Sequence, residues 1–430
     1  MDFFPPMSPS FLPHRCDVLV VGAGPAGSAT AQTLAQAGMD VLLVDQHDFP
    51  RDKICGDGLI PDTHAAFKRL GVYDEVAALA TPVQHVRCVG PSGGFIDVPG
   101  SLSVLPRKVL DHVLVRSAQR AGATLATPFR FEAPLIENGR VVGASFKQPG
   151  DANGPTHTVR APWTVLATGA VPAAMTAAEL CERHTPSGVA LRGYVKNDAM
   201  VGRITQLQLV WHPRMRGGYG WIFPAPGGLF NIGAGLTGSH RKRRDGSGQR
   251  DSVNLKTFFK AFCDVYPPAR ELMASGTLQG ELKGAPLRCS LIGARWSRPG
   301  LLATGEAVGS TYAFSGEGIG KAMETGMLAA DALLRHRSGW HGAAASSAPN
   351  ATADAELQDS YAAAMRILKP KFDLYETASH VNHHPWLADL VVWRGNRSPR
   401  IVKRLSGVLE ETQNPGRLFS WSGIRKLMFE

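Results

Sequence analysis

The hydrophobic pattern is clearest at the start of the chain. Residues 16–21 (CDVLVV) form a short apolar run, and residues 40–45 (DVLLVD) form a second. Between them lie a glycine-rich turn and a segment at helical spacing, 25–37 (PAGSATAQTLAQA), closed by Gly38. Short apolar runs without polar alternation mark strands buried on both faces. The pattern therefore predicts strand, turn, helix and strand, the opening unit of a doubly wound parallel sheet. Further on, the spacing predicts helices over 61–80, 107–121 and 253–274, and a long helix ending near 335. Strands are predicted in 83–98 around the turn PSGG, in 129–147 around Glu137-Asn138-Gly139, before Ala167-Thr168-Gly169, and at 300–304. From 188 to 236 the segments LRGYV, TQLQLVW, GYGWIF and LFNIGAG are strand-like. They predict an antiparallel sheet inserted between two parts of the first domain.

At 430 residues, the chain has room for two or three packed units. Its 44% hydrophobic and 19% charged residues exclude global disorder. Gly is frequent, 47 residues without a fixed period, which excludes collagen and predicts many tight turns. A net charge of +10 attracts anions: phosphates, an acidic carrier protein or an anionic membrane. No nucleic-acid-binding motif accompanies it, so nucleic acid is not an expected partner. Six cysteines (16, 55, 88, 181, 263 and 289) form no CxxC pair, so no metal site is expected. Reduced thiols fit a cytoplasmic protein. The N-terminus has neither the basic start nor the apolar core of a signal peptide. No run of 18 apolar residues occurs, so a membrane span is not expected, while peripheral contact stays open. The basic stretch 238–251 reads as a mobile surface loop, or as a phosphate or carrier contact. The tail interleaves Arg417, Arg425 and Lys426 with Leu418, Phe419, Trp421, Ile424, Leu427 and Phe429. It reads as a helix capping the core or lying on a membrane surface.

Candidate chemistry begins at Gly22-Ala23-Gly24-Pro25-Ala26-Gly27, which follows a predicted strand and opens a predicted helix. Gly22 permits the sharp turn, Gly24 lets backbone approach a pyrophosphate, and Gly27 permits close packing of helix on sheet. The helix N-terminus presents N–H groups to the diphosphate. Asp45 closes the second strand, placed to accept hydrogen bonds from an adenosine ribose. This fingerprint fits NAD and FAD alike. A second bend separates them: a strand ends in Gly305-Glu306, and Gly316-Glu317-Gly318 opens another helix. An extended dinucleotide needs both sites. The acid can bond a ribityl chain, and the helix N-terminus can stabilise negative charge on a reduced flavin.

With these residues the chain resembles the FAD-dependent family of geranylgeranyl reductases, flavin-dependent halogenases and aromatic-ring hydroxylases, built on the p-hydroxybenzoate hydroxylase fold. The resemblance covers residues 16 to about 335. The segment Phe49 to Leu59 (FPRDKICGDGL) is most similar to the reductase branch and its Pro-x-x-Lys-x-Cys-Gly-Gly-Gly-like segment, with Asp57 in place of the middle glycine. Tyr219-Gly220-Trp221-Ile222-Phe223-Pro224 is similar to the branch's Tyr-x-Trp-x-Phe-Pro motif. The resemblance implies FAD held by Gly22, Gly24, Pro25, Ala26, Gly27, Asp45, Lys53, Gly56, Arg107, Gly305, Glu306, Gly316 and Gly318. It implies an apolar pocket lined by Tyr219, Trp221 and Phe223, with Cys55 as a candidate for protonation or redox work. Plain packing is the alternative role for Cys55 and for the three aromatics.

The implied architecture is α/β, a Rossmann-like FAD-binding domain with an antiparallel substrate lobe and a helical C-terminal tail. The FAD-binding domain spans 16–80, 99–187 and 291–337. Lobe strands lie at 81–98, and the lobe proper at 188–290. A flexible tail (1–15), a disordered loop (338–353) and a helical region (354–430) complete it. The implied activity is reduction of carbon–carbon double bonds in a large apolar, polyprenyl-type or lipid substrate. The alternative is monooxygenation or halogenation of an aromatic or carrier-bound substrate. No lysine lies between Arg69 and Arg107 for halogenation, and position 219 is Tyr rather than Trp. Ala167-Thr168-Gly169-Ala170-Val171-Pro172 stands where the hydroxylases carry an Asp-Gly motif used for NADPH. A partner flavin reductase is thus an expected electron donor.

Overall fold

The computed structural model describes residues 12–151, 153–238, 254–340 and 351–413. Val18–Val21 runs near the middle of a six-stranded sheet. Its order is Ser297–Arg298, Leu301–Ala303, Trp163–Leu166, Val18–Val21, Val41–Val44, Thr124–Ala126. All neighbours are parallel except the Ser297–Arg298 edge. The strands Val18–Val21, Val41–Val44 and Trp163–Leu166 are buried throughout, as their unalternating apolar runs require.

The helices Pro25–Gln36 and Ile319–Arg335 pack closely together on this sheet. Small residues make that possible. A methyl group added at Gly326 would lie 2.3 Å from the Ala26 carbonyl oxygen and 2.9 Å from Thr30 Oγ1. Thr30 Oγ1 donates toward both Ala26 O (2.8 Å) and Gly326 O (3.0 Å), bridging the two helices at their closest approach.

The second layer is an eight-stranded sheet. Its order is Thr277–Leu287, Gly188–Lys196, Leu229–Thr237, Gly218–Ala225, Leu207–Val210, Thr81–Val89, Phe95–Val104, Gly58–Leu59. The strand Gly218–Ala225 alternates. Gly220 and Ile222 face the helix Leu255–Val265, where a Gly220 methyl would strike the Phe262 ring at 2.3 Å. Tyr219, Trp221 and Phe223 project from the other face. The long helix Ala351–Ala378 buries Leu357, Tyr361, Met365, Phe372 and Tyr375 in the first domain's core. Two further helices, Trp386–Gly395 and Pro399–Leu409, lie on the strands Thr81–Val89 and Phe95–Val104.

Several expectations need correction. The helix expected over 61–80 is two, Pro61–Leu70 and Tyr73–Leu79, because Gly71 ends the first in the left-handed conformation. The helix expected over 253–274 divides at Tyr266-Pro267, where an extended Tyr266 caps one helix and Pro267 opens the next. The strand Thr277–Leu287 was not anticipated; its exposed, polar and glycine-containing sequence hides the period. The inserted sheet is not wholly antiparallel, since Leu207–Val210 pairs in parallel with Thr81–Val89. The end of the expected loose tail is tethered: Leu12 is buried and Arg160 N–H donates to His14 O. Residues 338–340 and 351–353 of the expected disordered loop are helical. Residues 1–11, 152, 239–253, 341–350 and 414–430, and with them most of the basic stretch and of the aromatic tail considered above, lie outside the described residues.

The tight helix crossing gives a prediction. Gly326→Ala should lower stability by about 1–3 kcal/mol through overpacking, measured by urea unfolding.

Candidate functional site

The first bend is shaped by exclusion. Gly22 has φ +100°, and a methyl there would lie 2.4 Å from the Ala167 carbonyl oxygen. One at Gly27 would lie 1.7 Å from the Gly22 oxygen. Neither position tolerates a side chain. Gly24 differs: a methyl there would meet only the tips of Arg51 (3.7 Å) and Arg107 (3.9 Å). The surface of the bend is thus open and flanked by two guanidinium groups. No side chain caps the following helix, and its first turn carries no acid. Asp45 pins the bend from below, accepting from Ala23 N–H at 2.8 Å and His47 N–H at 2.9 Å. Its carboxylate keeps lone pairs for a ribose.

The second bend meets the first. A methyl added at Gly305, whose φ is +68°, would lie 2.6 Å from Ala26 Cβ. Glu306 is half-buried and accepts only a long 3.4 Å hydrogen bond from Thr311 Oγ1. Gly316 faces the Tyr219 hydroxyl, which donates to Ser315 O. Gly318 backs onto Thr311, where a methyl would sit 2.5 Å from Oγ1. Two buried hydroxyls, Thr168 Oγ1 beside the first bend and Ser310 Oγ in the second, have no protein partner.

These features fit an extended dinucleotide with a diphosphate at the first bend. An open turn, an uncapped helix N-terminus and two cations suit the diphosphate. Glu306 and the unpartnered hydroxyls suit a polyol chain. Arg107 and Arg51 converge on Asp111, at 2.7 Å and 2.9 Å. Burial alone would raise the Asp111 carboxyl, but Arg107 and Arg51 outweigh it and hold it below the usual range. Arg51 also lies 4.0 Å from the Asp45 carboxylate, so the two guanidinium groups beside Gly24 are held in place by two acids. Lys53 extends only to its neighbour's carbonyl, at 3.5 Å. Arg51, to which the sequence pattern assigns no role, is instead the cation at Gly24.

The segment 52–58 joins this bend to the aromatic strand. Arg192 donates to Cys55 O (3.3 Å), Lys53 O (3.0 Å) and Asp52 (2.6 Å). Asn231 accepts from Trp221 Nε1 (2.9 Å) and donates to Cys55 O and Asp57, both at 2.7 Å. Gly56 lies against Phe223 and Trp221, where a methyl would stand 3.2 Å and 3.6 Å away. Tyr219, Trp221 and Phe223 form a continuous series, edge-on then tilted, with successive centroids 6.3 Å and 6.4 Å apart. Arg107 lies beside the Cys55 thiol. Burial, only partly offset by Arg107, pushes that thiol above its ordinary value, so it is protonated at neutral pH.

Asp57 holds this junction together. It has φ +66°, where the related motif carries glycine, and it is fully buried. Its carboxylate accepts from Tyr194 Oη, Asn231 Nδ2 and the Arg107 N–H (3.4 Å). Burial pushes it up to about 6, against the opposing effect of Tyr194, Arg192, Asn231 and Arg107. Sequence reasoning missed Asn231, Arg192 and Tyr194. The one signal was polar residues within otherwise apolar strands: Asn231 in Leu229–Thr237, and Arg192 and Tyr194, two apart, in Gly188–Lys196.

Asp57→Asn leaves one acceptor oxygen for three donors and should cost about 1–3 kcal/mol in chemical unfolding. The deficit should depend on pH. A folded value raised above the ordinary 3.8 gives wild type a stability contribution present below about 4 and lost as pH rises through about 6. The variant lacks this term, so its deficit should shrink between pH 4 and pH 7.

Comparison with known proteins agrees with this geometry. Residues 15–206 match the model of the FAD binding domain. Menaquinone reductase of Mycolicibacterium smegmatis is 30% identical over 343 residues, covering 74% of this chain and 76% of that protein. Digeranylgeranylglycerophospholipid reductase 1 of Methanopyrus kandleri is 28% identical over 322 residues, covering 74% and 80%. The crystal structure of a geranylgeranyl bacteriochlorophyll reductase-like protein from Thermoplasma acidophilum has the same fold. Its TM-score is 0.68 at 21% identity, with 97% and 96% of the two chains covered. With its two bends meeting at Ala26, the chain binds FAD as an oxidoreductase and belongs to the FAD-dependent geranylgeranyl reductase-like family.

Proposed function

We propose that this oxidoreductase reduces carbon–carbon double bonds in a polyprenyl chain. The observation that carries this reading is the aromatic face of Tyr219, Trp221 and Phe223, set against the Cys55–Gly58 segment and next to the second bend. Relatives that are 30% and 28% identical are named as reductases of menaquinone and of a digeranylgeranyl lipid, both polyprenyl compounds. When bound, FAD supplies the hydride. Residues of the chain do the rest. Gly22, Gly24, Pro25, Ala26 and Gly27, with Arg51 and Arg107, seat the diphosphate. Asp45 takes the ribose. Gly305, Glu306, Gly316 and Gly318 take the ribityl and flavin end, with Gly56 close by. Lys53 adds positive charge at the rim. Tyr219, Trp221 and Phe223 exclude water and orient the flat alkene. Cys55 Sγ holds a proton for the second carbon, so each turnover adds one hydride and one proton. Electrons reach the enzyme from a partner reductase, since Ala167–Pro172 lacks the hydroxylase motif.

The direct test is anaerobic incubation of dithionite-reduced holoenzyme with a detergent-dispersed polyprenyl quinone or digeranylgeranyl lipid. Products heavier by two hydrogens per turnover are expected; recovery of unchanged substrate overturns the reading. Cys55→Ser should lower kcat by about a hundredfold or more with little change in KM. Because the protonated thiol is the working form, wild-type rate should fall only at pH above the ordinary thiol value of 9.0. The serine variant should lose that limb of the pH–rate profile.

A further inference from the structure

We propose that the outer face of the helices Trp386–Gly395 and Pro399–Leu409 docks on an anionic lipid bilayer. This deepens the polyprenyl reading, on which its purpose rests, but the surface argument stands by itself.

Each helix is fixed to the substrate lobe by one side. Leu387, Ala388 and Val392 are buried, as is Ile401. Val392, Val402, Leu405 and Leu409 pack on Ile96 and Val98 of the strand Phe95–Val104. Gly395 permits this approach, since a methyl there would lie 2.0 Å from Ile96 Cδ1. Trp386 and Trp393 are 56% and 45% exposed. Seven residues apart, they share one face of their helix. Phe95, 46% exposed, adjoins them, its carbonyl accepting from Asn396 Nδ2 at 2.9 Å.

Among the described residues, no acid pairs with the charges around these rings. Arg397 and Arg394 lie over the Trp393 ring, at 4.9 Å and 5.8 Å. Arg400, Lys403 and Arg404, spaced i, i+3 and i+4, are exposed along one side of their helix. Among the described residues, none of these five cations forms an ion pair. Elsewhere on the surface, arginines find acids: Arg69 with Asp331, Arg120 with Glu75, Arg203 with Glu271, Arg214 with Asp264. Between 386 and 409 the one acid is Asp389, and its carboxylate accepts from the Ser92 N–H and hydroxyl.

Unpaired cations alone suit any polyanion. Exposed indoles beside them select a lipid surface, where tryptophan settles at headgroup level and Lys and Arg meet anionic phosphates. A shallow apolar groove of about 430 Å³, lined in part by Pro99, Val402 and Lys403, runs alongside and can take the end of an acyl chain. The strand Thr81–Val89 beneath these helices pairs with Leu207–Val210, which pairs with the aromatic strand. A bilayer on this face therefore lies against the same lobe that carries Tyr219, Trp221 and Phe223.

The test is flotation of the full-length holoenzyme with vesicles of phosphatidylcholine alone and of equimolar phosphatidylglycerol and phosphatidylcholine. Binding to the anionic vesicles should be tighter by about tenfold or more, each unpaired cation contributing up to about fivefold, and should weaken with salt. Arg400→Glu with Arg404→Glu should abolish the preference. Trp386→Ala with Trp393→Ala should weaken binding and reduce the blue shift of indole emission. Retained flavin absorbance reports that both variants are folded. Equal binding to the two vesicle types, or unchanged binding by both variants, overturns the proposal. So does binding that only Trp421→Ala with Arg425→Glu removes, which assigns the contact to the following segment. Heparin bound through these cations with vesicles ignored also overturns it, in favour of an acidic macromolecule. The vesicles contain no isoprenoid, so this result is independent of turnover. The detergent assay reads turnover without a bilayer.

Discussion

The molecule depends on close approach between stretches of backbone that no side chain would permit. Ala26 is the meeting point. Gly27 and Gly22 touch across the first bend, Gly305 presses on the Ala26 methyl group, and Gly326 lies against the Ala26 carbonyl. These contacts bring together segments separated by about 280 residues of chain. With less close packing there, the two bends would not lie within reach of one extended ligand. The abundance of glycine thus follows from geometry rather than from flexibility.

Much of this was legible in the sequence because it depends on local rules. A glycine-rich turn set between a buried strand and a helix is compatible with few backbone arrangements, and Asp45 closes the next strand in the required register. The Rossmann-like domain and its cofactor could be read for the same reason. Errors arose where a local pattern is ambiguous. Helical spacing continues through Gly71 and Pro267, although both interrupt helices. The exposed strand Thr277–Leu287 lacks the alternation that marks a half-buried one. In the candidate site the individual motifs were visible, but the links between them were not. Asn231, Arg192 and Tyr194 come from strands far from Cys55, and only the folded chain shows that all three grip the same segment.

That grip explains the residue at position 57. Where the related motif has glycine, this chain sets a buried carboxylate in the same left-handed conformation and surrounds it with donors. The acid is a hub linking the Cys55 segment to Trp221 through Asn231. Local strain at a non-glycine residue is tolerated here because several hydrogen bonds fix it.

The hydroxyl of Tyr219 donates to the carbonyl of Ser315, so the aromatic strand and the second bend share a member. Loosening either would be felt by the other. One hydrogen bond thereby couples the position of the aromatic strand to that of the second bend.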